Sequence, residues 1–240
     1  MRLPITCMYC VKEKVPITSI NDIMVNVEVN DNGRYKTTCK NGHESITILQ
    51  QQKFEVLFEI GAYAVIDGYY REAVSSFTSA LERFYECFIK TVCFSKGIEL
   101  PVITSVWKKV SNQSERQLGA FIFTYLNEFG VEPDLLPDKY IKFRNAVIHK
   151  GKIPAKVEAV EYGQVILDLI RPILIQTQEK YEHIFDEEFI EKSTRSPGDG
   201  NLPISTMFIP MILGSTAEED GCHEGSLSTI IEKLKYYKPI

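Results

Sequence analysis

The chain has 240 residues and a formal net charge of −5, with 44% hydrophobic and 25% charged residues. This balance supplies apolar material for a core and room for one good-sized domain plus a smaller one. It speaks against a protein that coats nucleic acid through bulk positive charge, and no run of 18 or more apolar residues predicts a membrane span.

Residues 1–49 read as short β-segments. Ile20 to Val29 alternates Ile and Val with polar residues, Asn30-Asp31-Asn32-Gly33 is a turn signal, and Tyr35 to Thr38 reads as the returning strand of a hairpin. The cysteines flank this predicted hairpin. Cys7 and Cys10 form a CxxC, 28 residues intervene, and Cys39 is followed after three positions by His43. No signal-peptide h-region precedes Cys7, so the cytoplasm is the expected compartment and metal ligation is favoured over disulfides.

A CxxC turn presents two thiolates to one ion, and Asn41-Gly42 gives Cys39 and His43 their own tight turn. The set Cys7, Cys10, Cys39 and His43 resembles a zinc ribbon. That resemblance implies a structural Zn2+ with all four positions filled by protein and none left for catalysis. The plainer alternative is a group of buried cysteines without metal. Lysines and arginines in 1–49 barely outnumber acids, so nothing there favours nucleic acid.

From Gln50 the hydrophobic period becomes helical. A first helix is predicted over Gln51 to Asp67, ending at Gly68, and a second over Tyr70 to Lys96, ending at Gly97. In the second, Ala73, Val74, Phe77, Ala80, Leu81, Phe84, Phe88 and Val92 form a wide apolar stripe. Pro101 fits the start of a third helix, Ser114 to Phe129 gives a fourth, and Asp138 to Lys150 a fifth that stops at Gly151. Pro154 then opens a long helix towards Lys192, with Pro172 as a point of kinking. Ser193 to Asn201 has linker composition. Thr206 to Leu213 reads as a strand, followed by an acidic loop and a short helix over Leu227 to Tyr237. The expected fold is mainly α: a zinc ribbon (1–49), a helical bundle (50–192), and a linker with C-terminal extension (193–240).

The candidate chemistry sits on the fifth helix, in Lys142-Phe143-Arg144-Asn145-Ala146-Val147-Ile148-His149-Lys150-Gly151. At 100° per residue, Tyr140, Phe143 and Val147 make one apolar stripe and Ile141 and Ile148 another. Arg144 falls between them, where a guanidinium needs a partner or a cleft. Asn145 and His149 are four apart and share a polar face. His149 lies at the helix C-terminus, which favours its protonated form. Lys139, Lys142, Arg144, Lys150, Lys152 and Lys156 lie within 139–156 without an intervening acid. A solvated helix end with basic caps explains the same residues, and both readings stand at this point.

An arginine, a polar residue directly after it and a histidine after four intervening positions, late in an all-helical region, resemble the HEPN superfamily. Tyr162-Gly163 and Leu167 to Ile170 on the following helix, and Ala80 to Tyr85 on the second, add to that likeness, which spans about residues 50–192. The resemblance implies a metal-independent endoribonuclease of toxin or anti-phage defence type. It would act on tRNA or mRNA as a homodimer, and an antitoxin or regulatory protein could restrain it. His149 would move protons at the ribose 2′-oxygen or the leaving 5′-oxygen, Arg144 would hold the scissile phosphate, and Asn145 would orient His149 or bind the phosphate. Lys142, Lys150 and Lys152 would line the RNA surface, and Glu82 would support Arg144. A tyrosine found two positions after the histidine in some relatives is replaced here by Gly151. The competing expectation is a catalytically silent HEPN-type module that binds RNA, nucleotide or a protein. His183 and the pair Cys222-His223 carry no predicted role, and Cys87 and Cys93 are expected in the core.

Overall fold

The computed structural model describes residues 1–13, 22–181, 199–214 and 225–237. They divide into two compact units. One holds the described part of Met1–Gln51 together with 199–209. The other holds 52–181, 210–214 and 225–237. The fold is mainly helical, as the periodicity predicts. The C-terminal stretch, expected as a separate extension, is shared between the two units.

In the first unit β1 (Arg2–Thr6) pairs antiparallel with β2 (Met24–Glu28), and the helical turn α1 (Met8–Lys12) opens the connection between them. β3 (Arg34–Thr38) and β4 (Glu44–Leu49) form an antiparallel hairpin, and β5 (Ile204–Met207) adds in parallel to the other edge of β4. The turn predicted at Asn30–Gly33 is present. Gly33 takes φ 63°, its amide donates to Asn30 Oδ1 at 2.8 Å, and Asn30 Nδ2 donates to the Arg34 carbonyl at 2.8 Å. The strands that this turn joins do not pair with each other, which corrects the expected hairpin. Leu3 and Ile5, each 1% exposed, make β1 a better partner for β2, and the longer apolar β4 takes β3. The strand expected over Thr206 to Leu213 is shorter and earlier. It ends at Met207, and Met211, Ile212 and Leu213 bury in the helical unit instead.

The helical unit comprises α2 (Lys53–Ile66), α3 (Tyr70–Ser95), α4 (Leu100–Val110), α5 (Ser114–Phe129), α6 (Asp138–His149), α7 (Lys156–Lys180) and α8 (Leu227–Tyr237). The start of α2 is a capping box, in which Gln52 and Glu55 satisfy each other's backbone amides. The long α3 packs against α2, α4, α5, α6 and α7, and every residue of its predicted stripe is buried. Glycines let the helices approach: a Cβ on Gly61 or on Gly163 would come 2.6 Å from the Phe77 ring, and one on Gly163 equally close to Leu227. Cys87 and Cys93 are half-buried on α3, packed against the core without belonging to its centre. α7 ends at Lys180, short of the expected Lys192, because Tyr181 takes extended backbone (φ −127°, ψ 115°). Residues 182–192, most of the 193–201 linker, the acidic loop, His183 and Cys222-His223 lie outside the described residues. No helix among the described residues is long and apolar enough to cross a membrane.

Candidate metal centre and Arg/His site

Two connections build the metal cluster. Cys7 and Cys10 come from the β1–β2 connection, and Cys39 and His43 from the β3–β4 turn. Their ligand atoms all lie within 4.8 Å of one another. His43 Nδ1 is 3.3 Å from Cys10 Sγ, 3.5 Å from Cys39 Sγ and 3.8 Å from Cys7 Sγ, and the Cys10 and Cys39 sulfurs are 3.6 Å apart. Tetrahedral metal–sulfur and metal–nitrogen bonds of the length zinc makes would space such atoms roughly 3.6–3.8 Å apart, so the donor set fits an ion of that size.

The surroundings favour a thiolate at Cys39 and disfavour one at Cys10. Cys39 is lowered to about 7: burial pushes it up, but the amides of His43 and Asn41 and the Cys10 and Cys7 thiols outweigh that. Asn41 Nδ2 donates to Cys10 Sγ at 3.2 Å and lowers it, but burial and the neighbouring Cys39 and Cys7 thiols raise it overall, to about 11. Three thiols packed this closely shed their protons together only when a cation is among them. On the far side of the ring, His43 Nε2 lies 3.1 Å from a Glu13 carboxylate oxygen. That contact suits a proton on Nε2 and leaves Nδ1 as the ligand, the usual carboxylate–histidine–metal arrangement. Glu13 carries no sequence signal, because it lies in no motif and only the fold brings it to His43.

The second site is the end of α6. Val147 is fully buried, and Tyr140 and Phe143 pack on the core from the same stripe. Arg144 is half-buried between the stripes. Its Nε is buried and has no hydrogen-bond partner, and the guanidinium makes no ion pair within 4.0 Å among the described residues. A donor left in that state costs about 1–3 kcal/mol. Glu82 faces it from α3: burial raises the Glu82 carboxyl, while the Arg144 charge pulls it down. Asn145 is half-buried, and His149 is exposed in the last turn. Gly151 takes φ 71°, and the Lys152 amide turns back to the Ala146 carbonyl at 3.0 Å, which ends the helix beside His149.

The basic stretch is less positive in three dimensions than along the chain. α7 brings two acids to it. Lys152 pairs with Glu158 at 2.5 Å and lies over the Phe143 ring, and Lys139 lies 3.8 Å from Glu161. Lys142 and Lys150 are exposed. The expectation of a patch without acids fails because residues 139–156 lack acids only along the chain, and α7 packs Glu158 and Glu161 alongside.

No family model, curated protein or solved structure matches this chain. Its chemistry therefore rests on the two constellations themselves. Two groups near Arg144 carry no chemical role in the sequence. Tyr162 on α7 is fully buried, and its hydroxyl lies 2.9 Å from Thr78 Oγ1 on α3. Burial pushes Tyr162 up to about 12; the Thr78 bond and Arg144 oppose this. In the sequence Tyr162 contributes only to the family likeness, because a buried tyrosine at helical spacing otherwise reads as core.

Proposed function

We propose that the protein is a metal-independent endoribonuclease of HEPN type, that the end of α6 is its active site, and that the Cys7, Cys10, Cys39 and His43 cluster holds a structural zinc. The observation that carries the reading is Arg144: a cation lodged at a bundle surface, its Nε without a partner among the described residues, five positions before an exposed histidine. Such a guanidinium suits a phosphate ligand. The Cys3His set leaves no position for a reacting group, which separates the metal from the chemistry.

In this mechanism the ribose 2′-oxygen attacks the adjacent phosphorus. The new 2′-O–P bond forms as the 5′-O–P bond breaks, leaving a 2′,3′-cyclic phosphate and a 5′-hydroxyl. One histidine accepts the 2′ proton and another delivers one to the leaving oxygen, which calls for two copies of His149 in one cleft and hence a homodimer. Arg144 stabilises the charge that grows on the phosphate, and Asn145 orients His149 or shares the phosphate. Lys142 and Lys150 contact flanking phosphates, with Lys152 available once it leaves Glu158, and Glu82 restrains the arginine.

The pairing of Lys139 and Lys152 with α7 acids favours a second reading, a silent module that binds RNA or a protein without cutting it. Incubation of end-labelled single-stranded RNA and tRNA with the full zinc-loaded chain separates the two. The nuclease gives fragments with cyclic phosphate ends, formed about 10²–10⁴-fold more slowly by His149→Ala. The silent module gives binding that survives His149→Ala, and no fragments.

A further inference from the structure

We propose that Tyr162, held by Thr78, is a positioning residue for Arg144, fixing the wall against which the guanidinium rests so that its terminal edge is the part offered to a ligand. The phosphate role of that edge rests on the reading above; the placement itself does not.

Three helices meet here. Thr78 Oγ1 donates its one proton to the Val74 carbonyl at 2.8 Å, so Tyr162 is the donor in the 2.9 Å bond between the two hydroxyls. That bond pins the phenol of α7 to α3. The Tyr162 ring then supports α6 through two ring contacts. Its centroid lies 5.6 Å from that of Phe143, directly before Arg144, and 6.4 Å from that of Tyr140, one turn earlier. Arg144 directly follows Phe143 and lies one turn after Tyr140, so these two ring contacts put it on the side of α6 that meets Tyr162, and its charge acts on both the Tyr162 hydroxyl and the Glu82 carboxyl. Arg144 Nε is nevertheless buried without a bond to either. Its pose is therefore set by packing against a fixed surface rather than by hydrogen bonds of its own. A hydroxyl pair that only tied α3 to α7 would affect stability and leave Arg144 alone.

The test uses the full zinc-loaded chain with 15N-labelled arginine. The Nε–Hε signal of Arg144 is identified by its loss in Arg144→Lys. In the unmodified protein this proton should exchange slowly. Tyr162→Phe keeps the ring and removes the hydroxyl, and should speed exchange about fivefold, as expected for one lost hydrogen bond, with the other arginine signals unmoved. Thr78→Val should act in the same direction and serves if Tyr162→Phe fails to fold. In parallel, an uncleavable oligoribonucleotide carrying 2′-O-methyl groups throughout should bind more weakly to Tyr162→Phe, but Tyr162→Phe should add nothing in an Arg144→Lys background. Unchanged exchange in both variants, an Arg144 proton that exchanges as fast as exposed arginines from the outset, or strictly additive binding losses would overturn the proposal. A shifted Arg144 signal in a protein that binds no oligonucleotide would support the placement and count against the ribonuclease reading.

Discussion

The Cys/His cluster and the Arg/His helix end differ in how completely the chain satisfies them. At the cluster, two connections bring three sulfurs and an imidazole to mutual distances an ion of zinc's size would impose, amides and Asn41 Nδ2 point at the sulfurs, and Glu13 backs the histidine. At the end of α6, the arginine keeps an Nε without a partner and makes no ion pair among the described residues, and the histidine faces solvent. One constellation is closed on itself and the other is left open. A closed site should answer mutation in stability. An open one should answer in activity, and should carry a stability cost that removing it relieves.

The largest effect that sharpens this contrast is loss of the metal. Cys39→Ser should lower bound zinc from about one ion per chain to nearly none and remove folding free energy on the order of 10 kcal/mol from the first unit. Atomic absorption with two-dimensional amide spectra would check it; full zinc occupancy in that variant would break the account of the cluster. A closed group in the helical unit comes next. Glu59 is almost fully buried, accepts the Ile212 amide at 3.1 Å, and is pushed up by burial to about 7. Its folded pKa lies above the unfolded one, so the native state is favoured below about pH 4.5 and loses that advantage as pH rises towards 7. Glu59→Gln should therefore flatten the stability profile between those pH values and gain roughly 3 kcal/mol at pH 8, as thermal melts across pH would show.

Glu128 gives the opposite sign. Burial raises it, but Lys180, Tyr181 and Lys96 outweigh this and hold it at about 2. Its contribution is present above about pH 4.5 and fades as pH falls towards 2. Glu128→Gln should cost about 1–3 kcal/mol at neutral pH and little near pH 2, measured by urea unfolding. The smallest effect bears on the open site. Arg144→Met keeps the stem and removes the partnerless donor, so it should stabilise the fold by about 1 kcal/mol while abolishing RNA cleavage. A destabilised Arg144→Met protein would mean that the arginine is structural.

The helices were legible because their information is local. Apolar spacing, Gly68, Gly97 and Gly151 at the ends, and Pro101 at a start are each read within one turn, and the structure places α2 to α6 within a few residues of expectation. The cluster was legible because its spacing is a short-range signature. Strand pairing was not, because the partners of β2 and β3 depend on Leu3, Ile5 and β4, which no local turn specifies. The surroundings of Arg144 were partly legible. The wheel put it between apolar stripes, and Glu82 was the expected neighbour. Thr78 and Tyr162, and the acids Glu158 and Glu161 that trim the basic patch, come from helices whose relative placement only the packing reveals.

The most direct measurement is cleavage of end-labelled single-stranded RNA and tRNA by the full chain in EDTA, with zinc content verified afterwards, for the unmodified protein beside His149→Ala and Arg144→Ala. The account predicts EDTA-resistant cutting with cyclic phosphate ends, reduced about 10²–10⁴-fold by His149→Ala and lost in Arg144→Ala, with all three proteins folded and holding zinc. Equal cutting by all three, or no cutting by a dimer presented with both RNAs, would contradict it.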